Sequence, residues 1–600
     1  MPTRRVPPVR VRGVDLTGAV FTAAVLCAAD PTRTILPTPI SWAVVTVGTF
    51  AVLAVAAWQR AIVRPPRLVG QLYLAFLGWL ALAAATGEDG RFAWLGIPER
   101  HAGWVLWLVC GALLVSGVTW KAVADGMVVA GLVWVPVLWF DALGHPWLPT
   151  ATERLTGLFG SAAYLGAAAC LVAPAALGVA FDVRRTHRWR WAAAVAATSA
   201  VFAAAGSGSR AAWVGLGIVG LGAAWLQRRR RWLPRAALAL AAVIALAALT
   251  SPVGSRVSSV TGSSAGGASR IDEWRVGLAT LGHHPLLGAG PEGYRIVFHD
   301  GVDAEYEREH GRAVQPDRAH NGFLDLALAG GVPAALLYGA FITACVMDVR
   351  RRTRGTASTP AFLGVLAAIA AYLVQQQFLF PLAEMEPVLF LLAGGVVCSA
   401  APTVRASGTG GRATAAAATL IAAAALWWGV SDIAARSDAT SASTALAAGN
   451  PAEAYRGALD ALDWRDDEVW LHLLAARTAP TAELALAHVD DALALSPRDP
   501  IALRNRQELL VTLDPATAFE ELHDLLADDP SNASLQQLYG TAAIRTGDEV
   551  IAEQAWLTAL DLAPNASGPR QNLITLYRQQ GRDAEADELE LQAQEIFGNP

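Results

Sequence analysis

Thirteen apolar runs, each near the length needed to cross a bilayer and most joined by short polar links, leave this chain few ways to fold. A hydrocarbon core about 30 Å thick needs about 20 apolar residues per helix, somewhat fewer for a short span. On that ruler spans are predicted at 13–29, 40–58, 68–86, 103–120, 127–146, 160–181, 191–206, 211–226, 236–250, 322–347, 360–380, 387–400 and 413–431. Lipid offers no partner to a backbone amide or carbonyl, so such runs fold as helices, whose hydrogen bonds close internally. The chain is 16% charged, against about 25% for soluble domains. Its basic N-terminus leads into an apolar run, and since further spans follow, that run is expected to be a retained helix.

The formal charge of -5 hides two opposed parts. Residues 437–600 carry 28 acids against 10 arginines, whereas residues 1–436 carry 23 acids against 36 bases. A membrane body (1–436) followed by an acidic soluble appendage (437–600) accounts for the split, because different solvents demand different surfaces. Such an appendage excludes nucleic acid as a partner. The five cysteines, Cys27, Cys110, Cys170, Cys345 and Cys398, lie in apolar runs without CxxC spacing and read as small core hydrophobes.

Arginine marks the orientation, since short cytoplasmic loops retain positive charge. Every second connection is basic: Arg4, Arg5, Arg10 and Arg12; Arg60, Arg64 and Arg67; Lys121; Arg184, Arg185, Arg188 and Arg190; Arg228 to Arg231 with Arg235; Arg350 to Arg352 with Arg354; Arg405 and Arg412. The short loops of the other side hold Arg33, Arg91, Arg100, Arg154 and Arg210. The N-terminus is therefore expected in the cytoplasm, and an odd number of crossings places the C-terminal part outside.

Two features interrupt the spans. An outward loop at about 251–320 opens Gly/Ser-rich and continues with mixed polar and aromatic residues, and a loop of that length commonly carries function. The acidic part shows a period of 34: Gly547 to Gly581, Ala552 to Ala586, Ala559 to Ala593 and Pro530 to Pro564. Small residues seven apart let paired helices approach, glycine releases the turn and proline ends the unit. The pattern resembles about five tetratricopeptide helix pairs, with Trp556 and Tyr577 as large packing residues. Such arrays bind partner proteins and seldom catalyse.

Charged groups at the membrane are costly unless paired or wet, so outward arginines at helix ends are the first candidates for chemistry. Arg210 follows GSGS and opens a span; Arg154 precedes another. The long loop adds Arg256, Arg270, Arg275, Asp272, Glu273, His283, His284, His299, His310 and His320. Guanidinium groups bind phosphate through parallel hydrogen bonds, so converging arginines suit a lipid-linked diphosphate, and a histidine beside them can take a proton from an acceptor hydroxyl. Snorkelling anchors and a solvated loop are the plainer alternatives. GAGPEG at 288–293 has no surrounding βαβ unit and reads as turns. His283 and His284 are adjacent and cannot share one helical face, and no other metal-ligand spacing stands out, so neither metal nor cofactor is expected.

Four segments together resemble the O-antigen ligase and polymerase superfamily: RLTGLFGSAAYL at 154–165, SRAAW at 209–213, RIDEWRVGLATLGHHPLLGAGPEGYRIVF at 270–298 and HNGFLDLALAGGVPAALL at 320–337. The resemblance covers roughly 150–400. It implies an all-α polytopic bundle of about 12–13 spans, here followed by a soluble tetratricopeptide-like solenoid. It also implies a membrane glycosyltransferase that moves a glycan from an undecaprenyl diphosphate-linked donor to an acceptor hydroxyl on the extracytoplasmic face.

Carried over residue by residue, the resemblance makes Arg210 and Arg270 diphosphate-binding and His320 catalytic, with Arg154, Arg275 and Asn321 as further substrate-binding candidates. The family pattern of His, then Asn, Ser or Gln, then nine residues and a Gly fits His320, Asn321 and Gly331; it departs at Ala334, which leaves ligase against polymerase open. Asn321 has a second reading as a helix cap, and Gly330, Gly331 and Pro333 permit a kink in the tenth span. A bacterial plasma membrane location, a protein partner on the repeats and an unidentified glycan acceptor complete the expectation. A glycan polymerase, a protein O-oligosaccharyltransferase and a non-catalytic membrane-anchored adaptor are the alternatives.

Overall fold

The computed structural model describes residues 12–29, 39–148, 154–226, 270–312, 316–354, 358–399 and 408–597. The expected span at 236–250, the Gly/Ser-rich opening of the long loop with Arg256, and Arg4, Arg5, Arg10, Arg33, Arg228 to Arg231, Arg235 and Arg405 lie outside them.

Each of the other twelve expected spans coincides with a helix. These are α1 (Arg12–Cys27), α2 (Pro39–Trp58), α3 (Arg67–Thr86), α5 (Trp104–Leu114), α6 (Trp120–Ala142), α7 (Ala162–Phe181), α8 (His187–Gly206) and α9 (Arg210–Leu226), with a short α4 (Gly90–Leu95) after α3. Then come α13 (Gly322–Thr353), α14 (Pro360–Gln375), α15 (Glu386–Val397) and α16 (Gly408–Ala447). Seven are long and apolar enough to cross a membrane, and four shorter apolar helices accompany them among the described residues. The chain is a multi-pass membrane protein. Among the described residues, the expected long loop holds three α-helices: α10 (Arg270–His283), α11 (Tyr294–Val297) and α12 (Ala304–His310).

Small residues set the closest packing in the bundle. A Cβ on Gly178 of α7 would lie 2.8 Å from the Cα of Gly364 on α14, so those backbones touch, as small residues allow between membrane helices. The alanine-rich α7 is buried along nearly its whole length against α6, α8, α9 and α14.

Helix α13 is broken at Gly330 and Gly331, and Gly331 takes a left-handed φ of 71°. The break frees backbone groups that must find partners away from water. Leu328 O accepts from Ala289 N at 2.8 Å, Gly330 O accepts from Trp79 Nε1 at 2.8 Å, and Val332 N donates to Pro285 O at 2.9 Å. The loop segment 285–289 is thereby seated in the kink. A Cβ on Gly331 would lie 1.9 Å from Leu286 O, so only glycine fits there.

Helix α16 runs unbroken for 40 residues, about 60 Å at 1.5 Å per residue, roughly twice a hydrocarbon core. Its first part packs on α2, with Gly429 against Ala43, and exposed Trp427 and Trp428 follow where an aromatic belt would sit. The boundary expected at 436/437 therefore falls within one helix, whose end becomes the first helix of the solenoid. There it packs on α17 (Pro451–Trp464), followed by α18 (Val469–Thr478), α19 (Ala482–Leu495), α20 (Pro500–Leu513), α21 (Pro515–Asp528), α22 (Ala533–Thr546), α23 (Glu549–Leu562), α24 (Ser567–Gln579) and α25 (Asp583–Phe597).

These make five helix pairs of tetratricopeptide type. Gly547 and Gly581 turn the last two pairs with left-handed φ of 91° and 73°. Trp556 and Tyr577 are buried with Ala543, Ala552, Leu573 and Ala586. The period of 34 thus has its physical cause in small residues at the helix crossings, large ones in the layer between, and, in the last two pairs, a glycine at the turn.

The solenoid docks on the arginine-poor end of the bundle, against the helices of the long loop. Phe92 and Ile97 of the bundle share a core with Val469, Val489 and Ala492. Arg295 of α11 bridges Asp89 at 2.8 Å and Asp499 at 2.6 Å, and Ser496 Oγ donates to Asp89 at 2.6 Å. Arg312 joins Glu307 at 2.8 Å to Asp529, while Glu307 accepts from the backbone N of Ala533 at 3.2 Å. Arg91 pairs with Asp467 and Arg498 with Glu88. Part of the charge asymmetry in the sequence is therefore a mating surface: acids of the solenoid meet arginines of the loop.

Candidate active site

His320 stands just before Asn321, the N-cap of α13, whose side chain accepts from Leu324 N at 3.1 Å. Its backbone φ is 53°, a conformation that side-chain-bearing residues seldom hold. Buried Asp325, one turn into α13, accepts from Ala319 N at 2.8 Å and from Asn321 N at 3.2 Å. The amides on both sides of His320 are thus clamped by one carboxylate, which sustains the strained backbone. Strain held this way is characteristic of functional positions.

The imidazole lies between Glu273 of α10 and Phe380. Its Nδ1 is 3.3 Å from Glu273 Oε2, and its ring meets Phe380 edge-on at 5.4 Å between centroids. Arg270, one turn before Glu273, reaches the same carboxylate at 2.5 Å. Burial pushes the Glu273 carboxyl upward, but its contact with His320 and the charge of Arg270 outweigh that and hold it below its ordinary value of 4.5. It is an anion wherever a histidine titrates. With Nδ1 directed at Glu273, Nε2 is the nitrogen left for a substrate.

Around Phe380 lies a second layer that the sequence did not disclose. Arg100 stacks over the ring at 4.7 Å, donates to Asp317 Oδ2 at 2.5 Å and Oδ1 at 3.3 Å, and donates to Tyr164 Oη at 3.0 Å. Burial raises the Asp317 carboxyl, yet the Arg100 charge and hydrogen bond bring it below 3.8. Arg318 pairs with buried Glu292, whose other oxygen accepts from Ala102 N at 2.9 Å. Glu292 is the fifth residue of GAGPEG and has a left-handed φ of 64°, as do Gly288 and Gly290 at 64° and 84°. That segment shapes turns, and it also supplies a carboxylate tying the residue before Ala319 to the loop between α4 and α5.

The other candidates are placed as follows. Arg210 opens α9 and is exposed. Its helix reaches the site through packing: Ser209 sits against Gly166, two residues beyond Tyr164, and Gly215 sits against Ala371 and Gln375. Gln376 in turn packs on Gly322 and donates to Glu386 at 2.5 Å. Arg154 donates to Ser207 O at 2.9 Å and Gly208 O at 2.8 Å, so it fixes the turn that delivers Arg210. Arg275, two residues beyond Glu273, faces away from it and pairs with Asp303 at 3.2 Å and Glu305 at 3.7 Å. His284 lies 2.7 Å from Asp300, and His310 lies 3.5 Å from Asp272. The structure thus joins Arg270, Glu273 and His320 in one contact group, leaves Asn321 as the cap of α13 next to His320 in the chain, and gives Arg154 and Arg275 protein partners of their own.

Residues 195–339 match the family model described as O-antigen ligase, a segment that contains Arg210, Arg270 and His320. No curated protein matches the chain. Solved structures similar to part of it include MamA from Desulfovibrio magneticus RS-1, at 19% identity over 27% of this chain and 94% of that one with a TM-score of 0.25. A second MamA structure matches at 17% identity over 26% of this chain and 93% of that one with a TM-score of 0.24. Residues 195–339 of the membrane body thus resemble the O-antigen ligase family, in a multi-pass membrane protein on which a tetratricopeptide-like solenoid is docked.

Proposed function

We propose that this protein transfers a glycan from a polyprenyl diphosphate carrier, such as undecaprenyl diphosphate, to an acceptor hydroxyl. The acceptor oxygen attacks the anomeric carbon, the bond from that carbon to the diphosphate oxygen breaks, and the proton passes to His320 Nε2. Arg210 and Arg270 bind the diphosphate as charge develops on it, the kind of fixed electrostatic support that contributes most to such reactions. Glu273 orients the imidazole and stabilises its protonated form. Asn321 caps α13 beside the acceptor site. The observation that carries this reading is the contact of His320 with Glu273 and of Glu273 with Arg270, inside the segment that matches the O-antigen ligase family.

The arginine-rich links favour a cytoplasmic N-terminus, with the site and the solenoid on the extracytoplasmic side of a bacterial plasma membrane. Because the solenoid rests on the helices that carry Glu273, it is suited to deliver an acceptor or a partner protein to the site. A deletion strain tests the reading. Long glycan chains stranded on the lipid carrier are expected, restored to normal by the wild-type gene and not by His320→Ala. Single repeat units on the carrier would instead mark a polymerase. An unchanged lipid-linked pool would overturn the proposal in favour of a membrane-anchored adaptor.

A further inference from the structure

A second cluster of ligating side chains lies in the solenoid, away from the site described above. His488 and Asp491 are three residues apart on α19 and so share a face, and His472 of α18 meets them across the helix pair. One ligand atom from each lies within 4.8 Å of the others, and His472 Nδ1 is 3.9 Å from Asp491 Oδ2. The imidazole rings are 6.5 Å apart between centroids.

The hydrogen bonds of the two rings fix which nitrogens face the cluster. His472 Nε2 is 2.8 Å from the carbonyl oxygen of Asp466, which can only accept, so Nε2 carries the proton and Nδ1 carries the lone pair. His488 Nε2 is 3.0 Å from Tyr455 Oη, which can donate or accept, so that contact engages Nε2 and leaves Nδ1 toward the cluster, with its lone pair free in the tautomer whose Nε2–H donates to the phenol. Both Nδ1 atoms are buried and neither hydrogen-bonds to any described residue. His472 is 9% exposed, so its orphaned nitrogen sits in the interior, where an unsatisfied polar atom is costly. Two buried imidazole Nδ1 atoms beside a carboxylate, each ring anchored through its other nitrogen, are the donor set and outer support that a divalent transition metal selects.

We propose that His472, His488 and Asp491 bind a zinc-class divalent cation through the two Nδ1 atoms and a carboxylate oxygen. Asp491 is exposed and gives the ion a route from solvent. The ion would staple α18 to α19, the pair whose Val469, Val489 and Ala492 pack on Phe92 and Ile97 of the membrane body. Metal occupancy would then govern how firmly the solenoid is held on the bundle. This proposal stands apart from the glycosyl-transfer reading.

The test uses the full chain in detergent, stripped with a chelator and titrated with zinc against a competing chromophoric chelator, with metal content measured by mass spectrometry. One zinc per chain is expected, together with a rise in melting temperature that the chelator reverses. His488→Ala and Asp491→Asn, at less buried positions, should each weaken binding by more than about tenfold. His472→Ala should abolish it, with circular dichroism confirming that the helices persist. Absence of stoichiometric zinc in the wild-type chain, or unchanged affinity in both His488→Ala and Asp491→Asn, would overturn the assignment.

Discussion

His320→Ala is expected to lower glycan transfer by about 10²–10⁴-fold, the range that positioned proton transfer contributes, with the membrane bundle still folded. The imidazole is half-buried, and its loss leaves Glu273 paired with Arg270, so the main cost falls on turnover. Glu273→Gln should be milder, about tenfold, and should carry a distinct signature. Glu273 is ionised across the range in which histidine titrates, because the His320 contact and Arg270 outweigh its burial. That carboxylate is lost only as pH falls below its ordinary value of 4.5, so the acidic limb that follows its protonation should disappear from the rate profile of the variant as the plateau falls. A merely structural role for Glu273 would lower the plateau and leave the limb in place; kcat/KM measured across pH separates the two.

The second large effect is expected at the docking surface. Arg295 lies between Asp89 and Asp499, whose side chains are 2% and 7% exposed. Arg295→Ala leaves both buried carboxylates without their counter-charge, held only by hydrogen bonds from Ser496 Oγ and from the backbone N of Ile501 and Ala502, and removes the guanidinium stacked 5.5 Å over Phe92. Breaking a buried pair from one side costs about 3–5 kcal/mol. The pair of Arg308 with Asp561 crosses the same interface at 2.9 Å, but its side chains are 44% and 68% exposed. Arg308→Ala should therefore cost less than about 1 kcal/mol. Thermal unfolding in detergent, with limited proteolysis of α16, should show the solenoid released early in the Arg295 variant and unchanged in the Arg308 variant. Equal behaviour of the two would mean that burial does not determine which contacts hold the solenoid.

The legible part of this protein is whatever repeats or persists along the chain. Sustained apolarity predicts the twelve helices found at the expected positions, seven of them long and apolar enough to cross a membrane, because a helix closes its own backbone hydrogen bonds in lipid. Gly330, Gly331 and Pro333 predict the break in α13, and the 34-residue period predicts the helix pairs, since each follows from local backbone and packing demands. Pairings between distant residues have no such local signature. Arg100 with Asp317 and Ala102 with Glu292 join segments 217 and 190 residues apart, and Arg318 meets Glu292 across 26 residues, so Phe380 and its ring of charges stay hidden in the sequence.

Charge was legible in total and not in purpose. The acidic and basic halves suggested two solvents, yet Asp499, Asp529 and Asp467 face Arg295, Arg312 and Arg91 across one interface. Arg154 and Arg275, both read from the sequence as substrate-binding, have backbone carbonyls and the acids Asp303 and Glu305 as partners. The adjacent His283 and His284 offer no metal-ligand spacing, whereas the cluster of His472, His488 and Asp491 forms only when α18 and α19 pair.

The most direct measurement is of transfer itself. Purified protein in nanodiscs is supplied with a polyprenyl diphosphate-linked glycan and candidate acceptors, and free polyprenyl diphosphate and glycosylated product are followed together by mass spectrometry. The account predicts that the wild-type protein forms both in equal amounts, and that Arg210→Ala, Arg270→Ala and His320→Ala each lose most of that activity. Full activity in all three variants would contradict it.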